Sequence, residues 1–187
     1  LLINNDTLVR PDFLRELTTA VWEQPDWRII APMILYADDP EIVWSLGDRY
    51  IGPTLLTYSI LRNRQVPDDL PAYIAADSIN ACAMLVHREV FAHIGGFNEA
   101  YFMYAEDVDF CWRARQAGFH MGAATRARMW HKVSRSTGIY HVQGRYWRIS
   151  NQSRFYREHA RGAQKWLLAG FTTIRVALIT AQDALAG

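Results

Sequence analysis

The sequence predicts an α/β domain with a sheet flanked by helices, and two observations carry this prediction. Short apolar runs at 27–33, 81–86 and 119–124 have the length of β-strands. Helical patterns precede the first of these runs and separate the second from the third, so that both kinds of element are expected in one domain. With 187 residues, half of them apolar, the chain can bury a substantial core and is not disordered.

The first helix is predicted from Pro11 to about Gln24. Proline suits the first position of a helix, and Pro25 ends the pattern. The apolar residues predicted to share one side and to pack on the sheet are Phe13, Leu14, Leu17, Val21 and Trp22.

Between residues 27 and 94 the sequence predicts three strands, a short helix and one irregular segment at 46–70, called here the excursion. The strand at 27–33 is followed by a turn and a second short strand at 42–45. Glycines, prolines and mixed charges at 46–70 predict a hairpin or a mobile loop. The buried strand at 81–86 leads into a helix at 88–94.

An acid-rich helix is predicted from Asp107 to Gln116, with Gly118 just past its end. The residues expected to face inward are Val108, Cys111, Trp112 and Ala114. The acids of its start are Glu106, Asp107 and Asp109, at the positive pole of the helix. Taken alone, these acids fit two interpretations: a catalytic base, or capping and dipole partners, with Asp109 and Arg113 as a surface ion pair.

The C-terminal region predicts two amphipathic helices, a basic one from Gln143 to Arg161 and a second from Lys165 towards Leu185. The apolar stripe predicted for the second helix is Leu167, Phe171, Ile174, Leu178 and Leu185. Arg175 and Asp183 argue against a membrane-spanning segment. Two interpretations remain: a helix lying on a membrane surface, or a helix packed against the domain or another subunit.

Charge and cysteine content exclude some classes of function. The 20 basic residues are matched by 19 acids, which argues against a nucleic-acid-binding protein. Basic residues dominate between Arg113 and Lys165, which suits a face that meets a sugar diphosphate or anionic headgroups. Cys82 and Cys111 stand in apolar surroundings and are expected to be buried thiols.

An ordered series of motifs runs from residue 81 to residue 118. A strand of small residues is followed by Arg-Glu-Val-Phe at 88–91, Gly-Gly-Phe at 95–97, Phe-Met-Tyr at 102–104 and Glu-Asp-Val-Asp at 106–109. This series resembles the acceptor-side half of family 2 glycosyltransferases with the GT-A fold, rhamnosyltransferases included. The resemblance implies a truncated GT-A domain, a Rossmann-like nucleotide-diphospho-sugar transferase with a mixed sheet. It also implies that Asp107 is the catalytic base and that Glu106 orients it or the acceptor. At a helix start, Asp107 is expected to be ionised near neutral pH.

The beginning of the chain resembles the metal-binding Asp-x-Asp signature of the same family. Asn4 stands at its first acidic position and Asp6 at its last. The resemblance implies a divalent metal, Mg or Mn, bound by Asp6 and His131, with Lys132 and Arg135 neutralising the leaving group. Without the resemblance, Asn4 to Asp6 is equally well a turn, His131 a packing residue and the basic run a solvated surface.

Two further residues are expected to contact donor or acceptor. Asp77 precedes the buried strand, where the family brings substrate-contacting residues, and Trp112 could line the acceptor groove. Their alternatives are a strand-edge cap for Asp77 and core packing for Trp112. The family often has glycine at the position of Asn80, which leaves the identity of the sugar open.

The resemblance implies an inverting glycosyltransferase that moves a sugar from a nucleotide-diphosphate donor to a saccharide or lipid-linked acceptor. The expected role is bacterial surface polysaccharide synthesis, in the cytoplasm at the inner face of the membrane. Residues 1–140 would be the C-terminal part of the catalytic domain and 141–187 a helical extension, with a nucleotide-binding half preceding Leu1. The alternatives are a non-catalytic carbohydrate-binding relative and a metal-dependent nucleotide-sugar hydrolase.

Overall fold

The computed structural model describes residues 1–52, 54–132 and 142–186. Along these ranges strands and helices are mixed but do not alternate regularly, since six strands follow one another between the first and second helices. The strands are β1 (Leu2–Ile3), β2 (Thr7–Val9), β3 (Trp27–Tyr36), β4 (Val43–Ser45), β5 (Asp48–Tyr50), β6 (Thr57–Ser59), β7 (Tyr73–Ala76), β8 (Ala83–Val86) and β9 (His120–His131). The helices are α1 (Phe13–Glu23), α2 (Arg88–Ile94), α3 (Glu106–Gln116), α4 (Val142–His159) and α5 (Gln164–Ala186).

In the described part of the chain, seven strands form one mixed sheet. Its central order is β1-β8-β3-β9-β2, with β4 added to β3 and β7 to β9. The neighbours β3 and β9 run parallel, whereas the other pairs in the sheet are antiparallel. The predicted α/β class with a mixed sheet flanked by helices is therefore confirmed.

The core lies on both faces of β3, because successive side chains of a strand point to opposite sides. Ile29 and Met33 pack on the face covered by α2 and α3. Ile30 and Ile34 pack on the opposite face, against α1. Burial on both faces explains why this strand reads as a continuous apolar run.

Both central strands are longer than predicted, and an irregularity in their ladder explains why. Pro32 pairs with Ala124, but the next residue of β3, Met33, pairs with Arg128. The extra residues of β9 form a bulge at the point where proline offers no N–H to the ladder. Pairing then continues as far as Tyr36 and His131. The predicted ends at 33 and 124 are both wrong. In β9 the apolar pattern breaks within this bulge, whereas in β3 the apolar run continues through Ile34 and Leu35.

Helix α1 differs from the prediction in its start and in its buried face. Asp12 is the N-cap, so Pro11 precedes the helix and does not occupy its first position. The side chains that pack on the sheet are Phe13, Leu17 and Ala20. The exposed ones, contrary to the predicted stripe, are Leu14, Val21 and Trp22, the last 84% exposed. The helix meets the sheet along a narrower face than its apolar residues indicate.

The excursion at 46–70 contains the hairpin that the sequence offered as one alternative. Strands β5 and β6 pair antiparallel, with Asp48 opposite Ser59. The backbone N–H of Asp48 donates to the carbonyl of Ser78, at 2.9 Å, which fixes the hairpin beside the segment that precedes β8.

The C-terminal helices α4 and α5 pack on each other through Leu168, which lies in a buried cluster with Phe155 and Tyr156 of α4. The described residues of the predicted α5 stripe are exposed: Leu167, Phe171, Ile174 and Leu178. Nothing is described for the side chain of Leu185. Among the helices that the structure describes, none has the length and apolar character needed to cross a bilayer.

Replacing Gly122 with alanine should destabilise the fold by about 1–3 kcal/mol, because the new methyl group overpacks the core. A Cβ at position 122 would lie 2.2 Å from the Trp27 ring. The Trp27 ring contacts Tyr73 edge to face at 6.3 Å, which restricts its escape. Urea unfolding measures the loss. The matched control is Gly96→Ala, where a Cβ meets nothing within 4 Å. Equal unfolding midpoints for the two variants would contradict this close approach.

Candidate active site

Helix α3 carries the predicted catalytic acids at its first turn. It ends in a Schellman motif, in which the N–H of Phe119 donates to the carbonyl of Ala114 and Gly118 takes a φ of 87°. At the other end, the two carboxylate oxygens of Asp107 accept the N–H groups of Ala81, at 3.1 Å, and Val108, at 2.8 Å. These bonds join the start of α3 to the residues preceding β8 and fix the Asp107 carboxylate.

A strained loop delivers Glu106 to this position. Tyr104 and Ala105 have φ values of 66° and 70°, in the left-handed region that residues other than glycine rarely adopt. Helix α4 holds the loop. The side-chain amide of Asn151 donates to the carbonyl of Met103 at 2.7 Å, and the Arg148 guanidinium lies 4.9 Å from the Tyr104 ring centre. Such strain concentrates at functional sites, where the surrounding structure maintains it.

Burial governs the ionisation of the two acids. Burial raises the pKa of Asp107, even though hydrogen bonds from backbone N–H groups, those of Ala81 and Val108 first, oppose the shift. Burial, followed by the charge of Asp107, raises the pKa of Glu106 to about 7. The expectation that the helix start keeps Asp107 readily ionised is therefore wrong in direction. Among the described residues, the buried Oε2 atom of Glu106 has no hydrogen-bond partner.

The raised pKa of Glu106 predicts a measurable titration near neutral pH. The ¹³C resonance of its carboxyl carbon should titrate near pH 7 in the wild type, and at lower pH in Asp107→Asn, which lacks the neighbouring charge. Because the folded-state pKa exceeds the ordinary 4.5, the contribution of Glu106 to stability is present below pH 4.5 and is lost as pH rises through 7. Glu106→Gln should remove this part of the pH dependence. Titration of the wild-type carboxyl near 4.5 would contradict the assignment.

The second predicted pair, Asp6 and His131, lies at the end of β9. Strand β2 pairs with β9 so that Thr7 stands opposite His131. The imidazole Nε2 of His131 lies 3.3 Å from Asp6, and its ring meets Trp44 edge to face at 4.5 Å. Among the described residues, the buried atoms Asp6 Oδ1 and His131 Nδ1 have no hydrogen-bond partner. The bulge in β9 is what carries His131 to this end of the sheet.

Both pairs approach the segment from Ala81 to Cys82. On one side, the N–H of Asn4 donates to the Cys82 carbonyl at 2.9 Å. On the other side, Ala81 donates to Asp107. Burial, then the charges of Asp6 and Asp107, raise the pKa of the Cys82 thiol to about 12. The two carboxylates, a hundred positions apart in sequence, therefore act on the same side chain.

The other predicted site residues have different surroundings. The Asp77 carboxylate accepts the N–H of Tyr50 at 3.0 Å and pairs with Arg115, in the last turn of α3, at 3.4 Å. Trp112 is half-buried and packs edge to face against Tyr50 and Phe155. The backbone of Lys132 donates to the carbonyl of Asp6 at 3.0 Å. Arg135 lies outside the described residues.

The Asp109–Arg113 pair, a surface ion pair in one of the two interpretations of the sequence, is part of a buried network. The Asp109 side chain is only 1% exposed. Its oxygens bind Arg113 Nε at 2.8 Å and His159 Nε2 at 2.7 Å, and the neighbouring Glu158 accepts the hydroxyl of Tyr101 at 2.6 Å. Asp109, Glu158 and His159 have their ligand atoms close enough to hold a metal. Because Asp109 is already paired with Arg113 and His159, we interpret this group as a structural link between α3 and α4.

One acid near the site was missed by sequence reasoning. Asp48 lies on β5, where burial raises its pKa although Ser59, at 2.5 Å, and Arg62 favour its ionised form. Its charge contributes to the raised pKa of Asp107. The excursion at 46–70 carries no motif that could have indicated this role, because only the hairpin pairing brings Asp48 towards α3.

Comparison with known proteins decides the family. Residues 1–157 match the family described as glycosyltransferase like family 2. The chain belongs to this family. The match spans the Asp6 and Glu106–Asp107 motifs and both central strands, and the mixed sheet with its flanking helices is the GT-A-like fold expected for a family 2 glycosyltransferase.

Individual relatives of this family 2 member match only part of the chain, at 30–40% identity. The chain is 30% identical over 122 residues to a Haloferax volcanii protein named low-salt glycan biosynthesis hexosyltransferase Agl10, covering 65% of the chain and 38% of that protein. It is 40% identical over 60 residues to an N-acetylglucosaminyl-diphospho-decaprenol L-rhamnosyltransferase of Mycobacterium tuberculosis, covering 32% of the chain and 20% of that protein. The chain thus spans well under half the length of these relatives.

Proposed function

We propose that the protein transfers a hexose or deoxyhexose from a nucleotide-diphosphate donor to a lipid-linked saccharide, with inversion at the anomeric carbon. The observation that carries the proposal is that both motifs contact residues 81 and 82: Asp107 accepts the N–H of Ala81, and the N–H of Asn4 donates to the carbonyl of Cys82. The side chains of Asp6, His131 and Glu106 each have a buried polar atom with no hydrogen-bond partner among the described residues. A buried unpaired polar atom is costly, so such atoms favour a ligand. The names of the two relatives support glycan synthesis as the setting.

In this proposal Asp107 is the general base. It accepts the proton of an acceptor hydroxyl as that oxygen attacks the anomeric carbon, while the bond to the diphosphate breaks on the opposite face. A sugar hydroxyl is a poor nucleophile, so removal of its proton in the transition state accelerates attack. Glu106, with a pKa of about 7, is available in its protonated form to donate a hydrogen bond that orients the acceptor. The backbone N–H groups of Ala81 and Val108 keep the Asp107 carboxylate in place.

The family resemblance implies a divalent metal, and the residues at the end of β9 fit one. Asp6 offers hard carboxylate oxygens, and the imidazole Nε2 of His131 lies 3.3 Å from them, so both side chains can contribute a ligand on the same side. Asp6 Oδ1 is buried and has no hydrogen-bond partner among the described residues. When bound, Mg or Mn would screen the charge that develops on the departing nucleoside diphosphate. The N–H of Lys132 donates to the carbonyl of Asp6, which fixes the backbone of Lys132 at the same end of the sheet.

We further propose that α5 rests on the inner membrane surface. Its exposed stripe of Leu167, Phe171, Ile174 and Leu178 has the character of an interfacial helix. Ile174→Asp should reduce binding to anionic phospholipid vesicles severalfold in a sedimentation assay. The substitution places a charge on the apolar stripe of α5, which would lie between the lipid headgroups and the acyl chains. The control is Ala177→Asp, which lies off the stripe. Equal vesicle binding by the two variants would refute this placement.

A screen of nucleotide sugars with the complete protein tests the transferase proposal. Turnover should depend on Mg or Mn and on a lipid-linked acceptor, and Asp6→Ala should weaken the metal dependence. Release of free sugar without acceptor would indicate the hydrolase alternative. Donor binding without any product would indicate the carbohydrate-binding alternative. Either result would overturn the proposal.

A further inference from the structure

An open groove lies between α4 and α5, outside the candidate active site. Its volume is about 650 Å³, within the range of small-molecule sites. Tyr156 and Leu168, both buried, line it where the helices meet, and Ala169 and Val176 extend its apolar lining along α5. The groove is therefore long and apolar.

The hydroxyl groups in the wall of the groove do not make the groove polar, because their protons are already bound. Ser153 donates to the carbonyl of Ile149 at 2.7 Å, Thr172 to Leu168 at 2.8 Å, and Thr173 to Ala169 at 2.9 Å. Each hydroxyl proton is thus bound to the backbone of its own helix. The charged side chains in the described lining are Arg157 and Lys165. They lie near the turn that joins the two helices, so the positive charge of the lining itself is at one end. A third cation, Arg175, lies beside the groove outside its lining and is paired with Gln152 of α4.

The groove connects to the candidate active site through α4. Tyr156 of the lining follows Phe155, whose ring contacts Trp112 of α3 at 6.3 Å. One turn later, His159 bonds to Asp109 of α3 at 2.7 Å. The helix that forms one wall of the groove is therefore fixed to the helix that begins with Glu106 and Asp107.

We propose that this groove binds the prenyl diphosphate portion of a lipid-linked acceptor. The isoprenoid chain lies along the apolar wall of α5, and Arg157 and Lys165 bind the diphosphate. The charge pattern argues for this occupant, because an apolar channel with two cations at one end complements a ligand with a hydrocarbon chain and an anionic end. The inference rests on the proposed transfer to a lipid-linked saccharide, whose sugar would extend towards α3.

The groove and the exposed stripe of α5 are separate surfaces. At about 100° per residue, Ala169, Thr172 and Val176 fall on the face of α5 opposite to Leu167 and Ile174. Substitutions in the groove therefore leave the stripe intact, and effects on lipid binding can be separated from effects on membrane adsorption.

Calorimetric titration of the complete protein with farnesyl diphosphate, isopentenyl diphosphate and inorganic pyrophosphate tests the groove directly. Farnesyl diphosphate should bind at least about tenfold more tightly than isopentenyl diphosphate, because its longer chain buries more apolar surface. Ala169→Trp, which fills the groove, should weaken farnesyl diphosphate binding at least about tenfold. The double variant Arg157→Gln/Lys165→Gln should weaken it similarly. The matched controls, outside the lining, are Ala177→Trp and Arg161→Gln.

Three results would overturn the proposal: affinity independent of chain length, unchanged binding by Ala169→Trp, or a twofold molar mass in light scattering that Ala169→Trp abolishes. The last result would show that a second copy of the chain covers the groove. A transfer assay separates this proposal from the proposed function. Ala169→Trp should retain transfer to a short alkyl-linked acceptor and lose transfer to a farnesyl-linked one. Absence of wild-type transfer to every acceptor would refute the function, whereas the binding titration would still decide the groove.

Discussion

Replacing Asp107 with asparagine should lower the rate of sugar transfer by about 10²- to 10⁴-fold, the range that a positioned general base contributes. Asparagine has nearly the same shape, but it cannot accept the hydroxyl proton. Its side-chain oxygen can keep one of the two backbone hydrogen bonds that the carboxylate accepts from Ala81 and Val108. The loss should therefore appear in kcat at saturating acceptor, with little change in the overall fold.

Two measurements separate loss of the base from loss of structure. Because burial raises the pKa of Asp107, the ionised carboxylate is costly in the folded protein, and the neutral asparagine should not lower the melting temperature strongly. The control Asp38→Asn removes an exposed carboxylate from a turn and should leave kcat unchanged. If the Asp107→Asn protein transferred sugar at the wild-type rate, Asp107 would not be the base.

The position of these acids could be predicted from the sequence, but their ionisation could not. Helix α3 begins only one residue before its predicted start. The helix could be located from the sequence because its apolar spacing and the glycine at 118 are local signals. The pKa of Glu106 depends on burial and on Asp107, which the fold determines. A helix start alone favours ionisation, and only the packed structure shows that burial outweighs this effect.

Long-range pairing explains the other differences. The hairpin that brings Asp48 close to α3 and the bulge that prolongs β9 to His131 depend on partners far away in sequence. The pattern of α1 overestimated its buried face, since Trp22 is apolar but has no partner surface among the described residues. Local patterns therefore predicted most of the elements, and the family resemblance indicated the two site motifs. The lengths of the central strands and the surroundings of each acid required the fold.

The buried network of Asp109 predicts the second large effect, on stability. Asp109→Ala leaves Arg113 and His159 without their carboxylate and should lower the free energy of unfolding by about 2–3 kcal/mol. This is below the about 3–5 kcal/mol typical of a fully buried pair, because both partners are partly exposed. The loss should also disturb the strained loop before Glu106, since His159 and Asn151 both lie on α4, which holds that loop.

A double-mutant cycle with His159→Ala tests whether the network couples α3 to α4. The coupling free energy from urea unfolding should be about 1 kcal/mol or more, as expected for groups in direct contact. The pH dependence supplies an independent check. Burial alone would raise the pKa of Asp109, but His159 and then Arg113 outweigh it and hold the pKa below the ordinary 3.8. The stabilisation is therefore complete above pH 3.8 and is lost as pH falls through the lowered value. The wild type and Asp109→Ala should differ fully at pH 6 and converge in stronger acid, and a constant difference would contradict the ionised network.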